Sequence, residues 1–177
     1  MSWQQIDEGR MMSFFAALFT FFMVGCSKPA NAIAWSECAQ KIGEHPCNFT
    51  LNDQNGNLWE LYGHVGTPIL IEFSAEWCYW CYEATSAIVQ LKKQYDFTYV
   101  TILLEDRQGN PANQRLAKKW ADLHGSTDPV LHGWKSEYGW PFEGLPAFYM
   151  ISDKMVITRQ MDGWHPQAIE YFIKEEQ

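Results

Sequence analysis

The feature that most constrains the fold is a pair of cysteines placed where a buried strand gives way to a helix. The segment PILIEFS, residues 68–74, is an apolar run that suits a central strand. From Cys78 to Tyr95 apolar residues recur at helical spacing, and the next segment, FTYVTILLED, predicts a second buried strand. The sequence therefore predicts a strand–helix–strand unit with Cys78 and Cys81 at the N-terminus of its helix.

The start of a helix is a position that favours thiol chemistry. Unpaired backbone N–H groups and the positive end of the helix dipole lower the pKa of the first cysteine, Cys78, and the thiolate is the nucleophile in disulfide exchange. The three-residue step lets Cys81 resolve a mixed disulfide. Side chains alternate along a strand, so Glu72 lies opposite Phe73, and a carboxyl buried beneath the cysteines would have a raised pKa and could accept a proton. The alternative is a strand near the sheet edge, with Glu72 pointing to water.

The rest of the domain is predicted as one hairpin, two helices and two strands. A turn at Asn55-Gly56 predicts the hairpin, and Asn110 with Pro111 predicts the cap and first turn of a helix that runs to about His124. The residues expected on the inner face of that helix are Leu116, Trp120 and Leu123. PAFYMIS and MVITRQM predict two strands. PQAIEYFIKEEQ predicts a closing helix whose buried face carries Ile169, Phe172 and Ile173.

The first 25 residues are predicted to be a signal peptide of the lipoprotein type. The apolar stretch MMSFFAALFTFFMV is shorter than the roughly 20 residues that span a bilayer, but it suits a signal-peptide core. MVGC then resembles a bacterial lipoprotein processing site, with Cys26 as the acylated residue. An ordinary cleaved signal and an uncleaved anchor are the alternatives, and all three export the domain. We expect a lipid anchor on the periplasmic side of a bacterial membrane, and Ser27 favours the outer membrane.

Export affects how the other four cysteines are interpreted, because oxidising compartments let disulfides persist. Residues 26–48 are predicted to be a linker and N-terminal segment in which Cys38 and Cys47 form a structural disulfide; a second redox centre or a metal site is the alternative. Zinc is disfavoured because these two do not match the spacing of Cys78 and Cys81, and haem attachment because Tyr82 follows where that motif needs His. We expect no metal and no cofactor. The net charge of −8, with acids scattered and few basic pairs, gives no sign of nucleic-acid binding.

Over residues 49–177 the chain resembles the thioredoxin-like family. PILIEFSAEWCYWC is similar to that family's strand, tryptophan and active-site segment, and LPA, residues 145–147, resembles its loop carrying a cis-proline. The leader, the early hairpin and the additional helix are more similar to the exported, membrane-tethered TlpA/ResA type. The resemblance implies an α/β thioredoxin-like fold: a central mixed sheet flanked by helices, with an N-terminal hairpin and an inserted helix.

The resemblance also implies a thiol/disulfide oxidoreductase that acts on cysteine-containing protein substrates and exchanges electrons with a redox partner protein. It assigns attack to Cys78, resolution to Cys81 and the buried acid to Glu72. The residues implied in the substrate groove are Trp77, Tyr79, Trp80, Leu145 and Pro146. Tyr79-Trp80 departs from the dipeptides commonest in the family, and because that dipeptide influences the redox potential, the direction of exchange stays open.

Two other functions stay open at this point. A copper metallochaperone would pass the metal between two thiolates, although the tight spacing and the lack of an evident partner His count against it. A non-catalytic binding module would keep an idle disulfide and use Tyr79-Trp80 as an adhesive surface. The aromatic residues ahead of Pro146 are either ordinary core or part of a surface for an apolar partner: Trp134, Tyr138, Trp140 and Phe142.

Overall fold

A computed structural model describes residues 35–177. The predicted signal peptide, residues 1–25, and the predicted lipidation site Cys26 lie outside this range. Within residues 35–177 no helix combines the length and apolar character needed to cross a membrane.

Two sheets and three α-helices make up the described chain. A hairpin pairs β1 with β2 in antiparallel fashion, and five further strands form a sheet in the order β5-β4-β3-β6-β7. The strands are β1 Thr50–Asn52, β2 Leu58–Glu60, β3 Ile69–Ser74, β4 Thr98–Leu103, β5 Val130–Leu131, β6 Ala147–Ile151 and β7 Ile157–Asp162. The helices are α1 Tyr79–Leu91, α2 Gln114–His124 and α3 Pro166–Glu175. Strands β3, β4 and β5 run parallel, whereas β6 is antiparallel to both β3 and β7.

Strand β3 is the centre of the larger sheet, and all six of its residues are buried. Successive side chains of β3 point to opposite faces of the sheet, so they contribute to two separate parts of the core. Ile71 and Phe73 pack with the hairpin and a group of aromatic residues, whereas Leu70 packs with α1 and α3 through residues such as Ile88 and Ile169. The active-site loop therefore leaves from the most completely buried strand of the sheet.

The prediction for α2 was wrong at its start and on one face. Pro111 lies in an isolated bridge with Glu105, so the helix begins only at Gln114, where Asn113 Oδ1 accepts from the N–H of Leu116 at 3.1 Å. Leu123 is 57% exposed, whereas Trp120 is buried. Short alanines fill the remaining inner positions because the helix packs closely there: Ala117 and Ala121.

The N-terminal segment is fastened to the domain. A disulfide joins Cys38 to Cys47. Between them, the N–H of Gly43 donates to the carbonyl of Ile157 at 2.8 Å, and Ile157 N–H donates back to Glu44 at 3.0 Å. These bonds satisfy backbone groups at the start of β7, the outermost strand on that side of the sheet.

Candidate active site

The two cysteines of the CxxC motif lie at the first turn of α1. Cys78 is the N-cap residue with extended backbone angles, and its Sγ accepts from the N–H of Cys81 at 3.2 Å. The two sulfurs are bonded to each other as a disulfide. Cys78 keeps 5% of its surface exposed and Cys81 none, so Cys78 is the more accessible of the two residues.

The loop before Cys78 is held by the end of β4. The N–H of Glu76 donates to the carbonyl of Glu105 at 2.9 Å, and the indole Nε1 of Trp77 donates to Glu105 Oε2 at 3.1 Å. Cys78 N–H closes the turn on Ala75 at 3.0 Å. The indole beside the nucleophile is therefore fixed by a residue that is 28 positions away in sequence.

Basic groups compensate a buried negative charge two residues before Cys78. Glu76 is 8% exposed and accepts from Lys119 Nζ at 2.7 Å and from the N–H of Arg107 at 3.3 Å. The Nε atom of Arg107 lies 4.0 Å from the same carboxylate. The hydrogen bond from Lys119 is the main reason that the pKa of Glu76 is lowered. This pairing limits the electrostatic penalty that Glu76 would otherwise impose on a thiolate at Cys78.

A cis peptide bond joins Leu145 to Pro146 in the loop that faces the cysteines. Pro146 is buried, and its carbonyl accepts from the N–H of Gly163 at 2.8 Å. Leu145 is partly buried and packs against the cluster that contains Cys78 and Cys81. The loop therefore forms one wall next to the disulfide.

Glu72 is fully buried in the middle of the sheet, on the opposite face from Phe73. Its carboxylate accepts from Ser74 Oγ at 3.1 Å, from Thr85 Oγ1 at 3.1 Å and from the hydroxyl of Tyr99. Burial raises the pKa of Glu72 from 4.5 to about 7, and these three hydrogen bonds lower it in part. A carboxyl with this pKa exchanges protons near neutral pH.

Thr85 links the buried acid to the cysteines. It lies four residues after Cys81, one turn and a rise of about 6 Å along the same face of α1. Tyr99 donates from the neighbouring strand β4, and burial raises its pKa well above 10, so it stays a hydrogen-bond donor. Glu72 therefore lies under the first turns of α1, with three hydroxyls around its carboxylate.

Comparisons with known proteins add to this geometry. No protein-family model matches the chain. Its sequence is 24% identical over 118 residues to the thioredoxin-like protein YneN of Bacillus subtilis (strain 168), which covers 65% of this chain and 68% of that protein. Its structure superposes on a thiol:disulfide interchange protein of the thioredoxin family from Chlorobium tepidum TLS, with a TM-score of 0.64, 19% identity and coverage of 78% of this chain and 99% of that one.

The chain has a thioredoxin-like fold. The pneumococcal exposed lipoprotein thioredoxin Etrx1 of Streptococcus pneumoniae strain TIGR4 is a further structural neighbour, with a TM-score of 0.60, 18% identity and coverage of 73% of this chain and 99% of that one. The predicted fold class, a central mixed sheet flanked by helices, is thereby confirmed. The proteins that this chain is similar to include a thioredoxin-like protein and a thiol:disulfide interchange protein.

The thioredoxin-like fold leaves three large aromatic side chains exposed around the disulfide. Trp77 is 54% exposed, Tyr79 65% and Trp80 57%. The rings of Tyr79 and Trp80 meet edge to face, with their centroids 5.1 Å apart. Large exposed aromatic side chains grouped in this way are unusual on a protein surface.

The aromatic residues ahead of Pro146 divide between core and surface. Trp140 is 5% exposed and packs against Phe73, whereas Trp134 and Phe142 are partly buried on the same ring. Tyr138 packs on Trp134 and Phe49. Of these aromatic residues, Trp140 therefore belongs to the core, whereas Trp134 and Phe142 keep part of their surface accessible.

Sequence reasoning missed several residues of this site, among them Thr85, Tyr99 and Glu105. For Thr85 a signal existed, since it follows Cys81 at the helical spacing of four. The other two depend on the register between β3 and β4, which pairs Glu72 with Thr101. Among residues 35–177 no group of three or more His, Cys, Asp or Glu side chains is arranged to hold a metal ion.

Proposed function

We propose that this protein is an exported thiol/disulfide oxidoreductase that exchanges disulfides with cysteines in other proteins. The observation that carries the proposal is a disulfide at the N-terminus of α1, Cys78–Cys81, above the buried carboxyl of Glu72 and beside cis-Pro146. The fold, shared with thiol:disulfide interchange proteins, supports it.

In the reducing direction Cys78 attacks first. Its thiolate bonds to one sulfur of a substrate disulfide, the substrate S–S bond breaks, and the other substrate sulfur leaves as a thiolate. Cys78 is suited to this step because it caps α1, where the N–H groups of a helix start favour the thiolate, and because it keeps some exposed surface whereas Cys81 has none.

Cys81 then resolves the mixed disulfide. Its thiol gives a proton to the Glu72 carboxylate, and the resulting thiolate attacks Sγ of Cys78. The Cys78–Cys81 bond forms, the bond to the substrate breaks, and the second substrate thiolate leaves, so two electrons have passed to the substrate. The pKa of about 7 suits Glu72 to accept this proton and later to return it.

The oxidising direction is the same path reversed. A substrate thiolate attacks Sγ of Cys78, and Cys81 leaves as a thiolate that takes a proton from Glu72. A second substrate thiolate then attacks the substrate sulfur that is bonded to Cys78. The substrate disulfide forms, the bond to Cys78 breaks, and Cys78 leaves as a thiolate. A redox partner protein restores the starting state in either direction.

The groove beside Cys78 would receive the substrate chain. Trp77, Tyr79 and Trp80 supply exposed aromatic surface on one side, and Leu145 supplies apolar surface on the other. Burial of such surface against a protein segment is favourable without requiring one sequence. Pro146 shapes the loop that holds Leu145 in place.

Export is part of the proposal. MVGC in the leader supports acylation of Cys26 and a tether to the periplasmic side of a bacterial membrane, with Ser27 favouring the outer membrane. A structural neighbour is an exposed lipoprotein. Mass spectrometry of the purified mature protein should find an N-terminal, acylated Cys26; an intact Met1 or an unmodified Cys26 would contradict the anchor.

Insulin reduction with a dithiol donor tests the activity. We expect the wild-type protein to reduce insulin and the Cys78→Ser variant to show only the background of the donor. Titration of the reduced protein with copper, run in parallel, separates the metallochaperone alternative. Stoichiometric tight copper binding without insulin reduction would contradict the proposal.

A further inference from the structure

A cavity of about 320 Å³ lies between the segment that follows β4 and the aromatic segment ahead of Pro146. Through Glu105 it adjoins the loop before Cys78, because Glu105 accepts from the N–H of Glu76 and from the indole of Trp77. Its lining includes Leu104, Glu105, Trp134, Ser136, Trp140 and Phe142. We call it the aromatic pocket. Its volume is at the low end of the range of about 300–1,000 Å³ for ligand sites, so it suits one long side chain.

Phe73 holds the aromatic walls of this pocket in place. Its ring lies 5.0 Å from that of Trp134, 5.9 Å from Trp140 and 5.0 Å from Phe142, measured between centroids. Phe73 is fully buried in β3, so the walls pack against a core strand of the sheet. The pocket is therefore formed before any partner arrives.

The aromatic pocket has one charged lining residue, Glu105. Its Oε2 accepts from Trp77, and no other side-chain partner of this carboxylate is present among residues 35–177. Arg107 lies by Glu76 and lines a separate pocket together with Trp77. Aromatic faces together with one carboxylate are the surroundings that attract an organic cation.

From this geometry we propose that the aromatic pocket binds a lysine or arginine side chain of the protein substrate, near the cysteine that Cys78 attacks. The inference rests on the proposed function. The methylene stem of such a side chain packs on the aromatic walls, and its charged end meets Glu105. The chain's net charge of −8 also favours the approach of basic segments.

A set of mixed-disulfide peptides tests this specificity. Each peptide carries one cysteine joined to nitrothiobenzoate, and lysine is placed in turn at each of the three positions on either side of it. Norleucine and glutamate replace lysine in matched peptides. Reduced wild-type protein attacks the peptide sulfur and releases coloured nitrothiobenzoate once per molecule. The observed rate against peptide concentration therefore gives the second-order rate constant of the attack, the single-turnover equivalent of kcat/KM.

We expect lysine at one or two adjacent positions to raise kcat/KM roughly ten-fold over norleucine, and glutamate to lower it. Glu105→Gln removes the charge and keeps an oxygen for the Trp77 indole, so the lysine preference should fall to about two-fold or less. Glu143→Gln is the matched control, because Glu143 lies one residue beyond Phe142 but does not line the pocket. It should keep the preference.

Three results would overturn the inference. Equal rates with lysine and norleucine at every position would show that the pocket does not distinguish a charged side chain from an uncharged one. A preference that survives in Glu105→Gln with all rates unchanged, or one that Glu143→Gln removes equally, would show that the overall charge of the protein, and not Glu105, produces it. A loss of rate in Glu105→Gln that is the same for all peptides would assign Glu105 to holding Trp77 alone. If no peptide releases nitrothiobenzoate, the proposed function itself fails and this inference with it.

Discussion

The two disulfides of this protein differ in their surroundings much more than in their chemistry. Cys78–Cys81 spans three residues, starts a helix and is almost wholly buried. Cys38–Cys47 spans nine residues in an irregular segment, with Cys38 exposed. One is surrounded by groups that can stabilise a thiolate and move a proton, and the other by backbone that it fastens to the sheet.

The difference shows which neighbouring groups a redox disulfide requires in addition to its S–S bond. Near Cys78 and Cys81 the fold supplies free N–H groups at a helix end, a buried carboxyl and a facing loop. Near Cys47 the neighbouring contacts are structural, such as its N–H bonded to Gln40 Oε1 at 3.0 Å. We therefore expect chemistry from the first pair and stability from the second.

Replacing single cysteines should have the largest effect and could break this contrast. Cys78→Ser should abolish insulin reduction, a loss of several orders of magnitude, because no attacking thiolate remains. Cys81→Ser should accumulate a mixed disulfide through Cys78, detected by mass spectrometry. Trapping through Cys38 or Cys47 in either variant would mean that the second pair is also a redox centre.

Glu72→Gln should slow resolution without preventing attack. Gln cannot accept a proton from Cys81, and general-base catalysis is worth roughly 10²-fold or more, so we expect a loss of about that size at pH 7. In the wild-type protein the rate of resolution should rise with pH through about 7, where Glu72 loses its proton. Stopped-flow measurement from pH 6 to 9 checks both; wild-type rates in the variant across that range would remove Glu72 from the mechanism.

The same substitution changes how stability depends on pH. Burial raises the pKa of Glu72 from 4.5 to about 7, so the folded protein holds a proton that the unfolded chain releases between these values. The free energy of unfolding of the wild-type protein should therefore fall as pH rises through this window, by on the order of 3 kcal/mol. Glu72→Gln lacks this loss. Urea unfolding at pH 4 and pH 8 measures this: the free energy of unfolding of Glu72→Gln should rise relative to that of the wild type from the lower pH to the higher.

Removal of the N-terminal disulfide should affect stability alone. The Cys38→Ser, Cys47→Ser double variant should lose roughly 2 to 3 kcal/mol of unfolding free energy, because a loop of about ten residues is no longer closed in the unfolded chain. Insulin reduction per folded molecule should stay at the wild-type level. Urea unfolding under non-reducing conditions measures the first quantity, and a large loss of activity in the folded variant would contradict the contrast.

The smallest effect is expected from the exposed aromatic surface. Trp80→Ala removes a side chain that is 57% exposed, so stability should change by less than about 0.5 kcal/mol, while KM for insulin should rise about three-fold. Leu58→Ala is a suitable control, since Leu58 is 76% exposed but lies in the hairpin. An equal rise in KM for both variants would show that general surface apolarity, and not the site, is responsible.

Local pattern was enough to predict the part of this protein that carries the chemistry. The apolar run of β3, the helical spacing after Cys78 and the turn at Asn55-Gly56 each predicted an element that the structure contains. These features depend on neighbouring residues, whose backbone preferences and side-chain periodicity act within one element. The place of Cys78 and Cys81 at a helix start follows from the same short-range information.

Tertiary structure alone decided what surrounds that pair. Pro111 looked like the start of α2 but lies in a bridge with Glu105, and β5, only two residues long, has too little periodicity to detect. Tyr99 reaches Glu72 across 27 residues of sequence, and Glu105 reaches Trp77 across 28. Such contacts depend on the register of paired strands and on where loops return to the sheet, and no local preference encodes either, because both are set by the packing of the whole core.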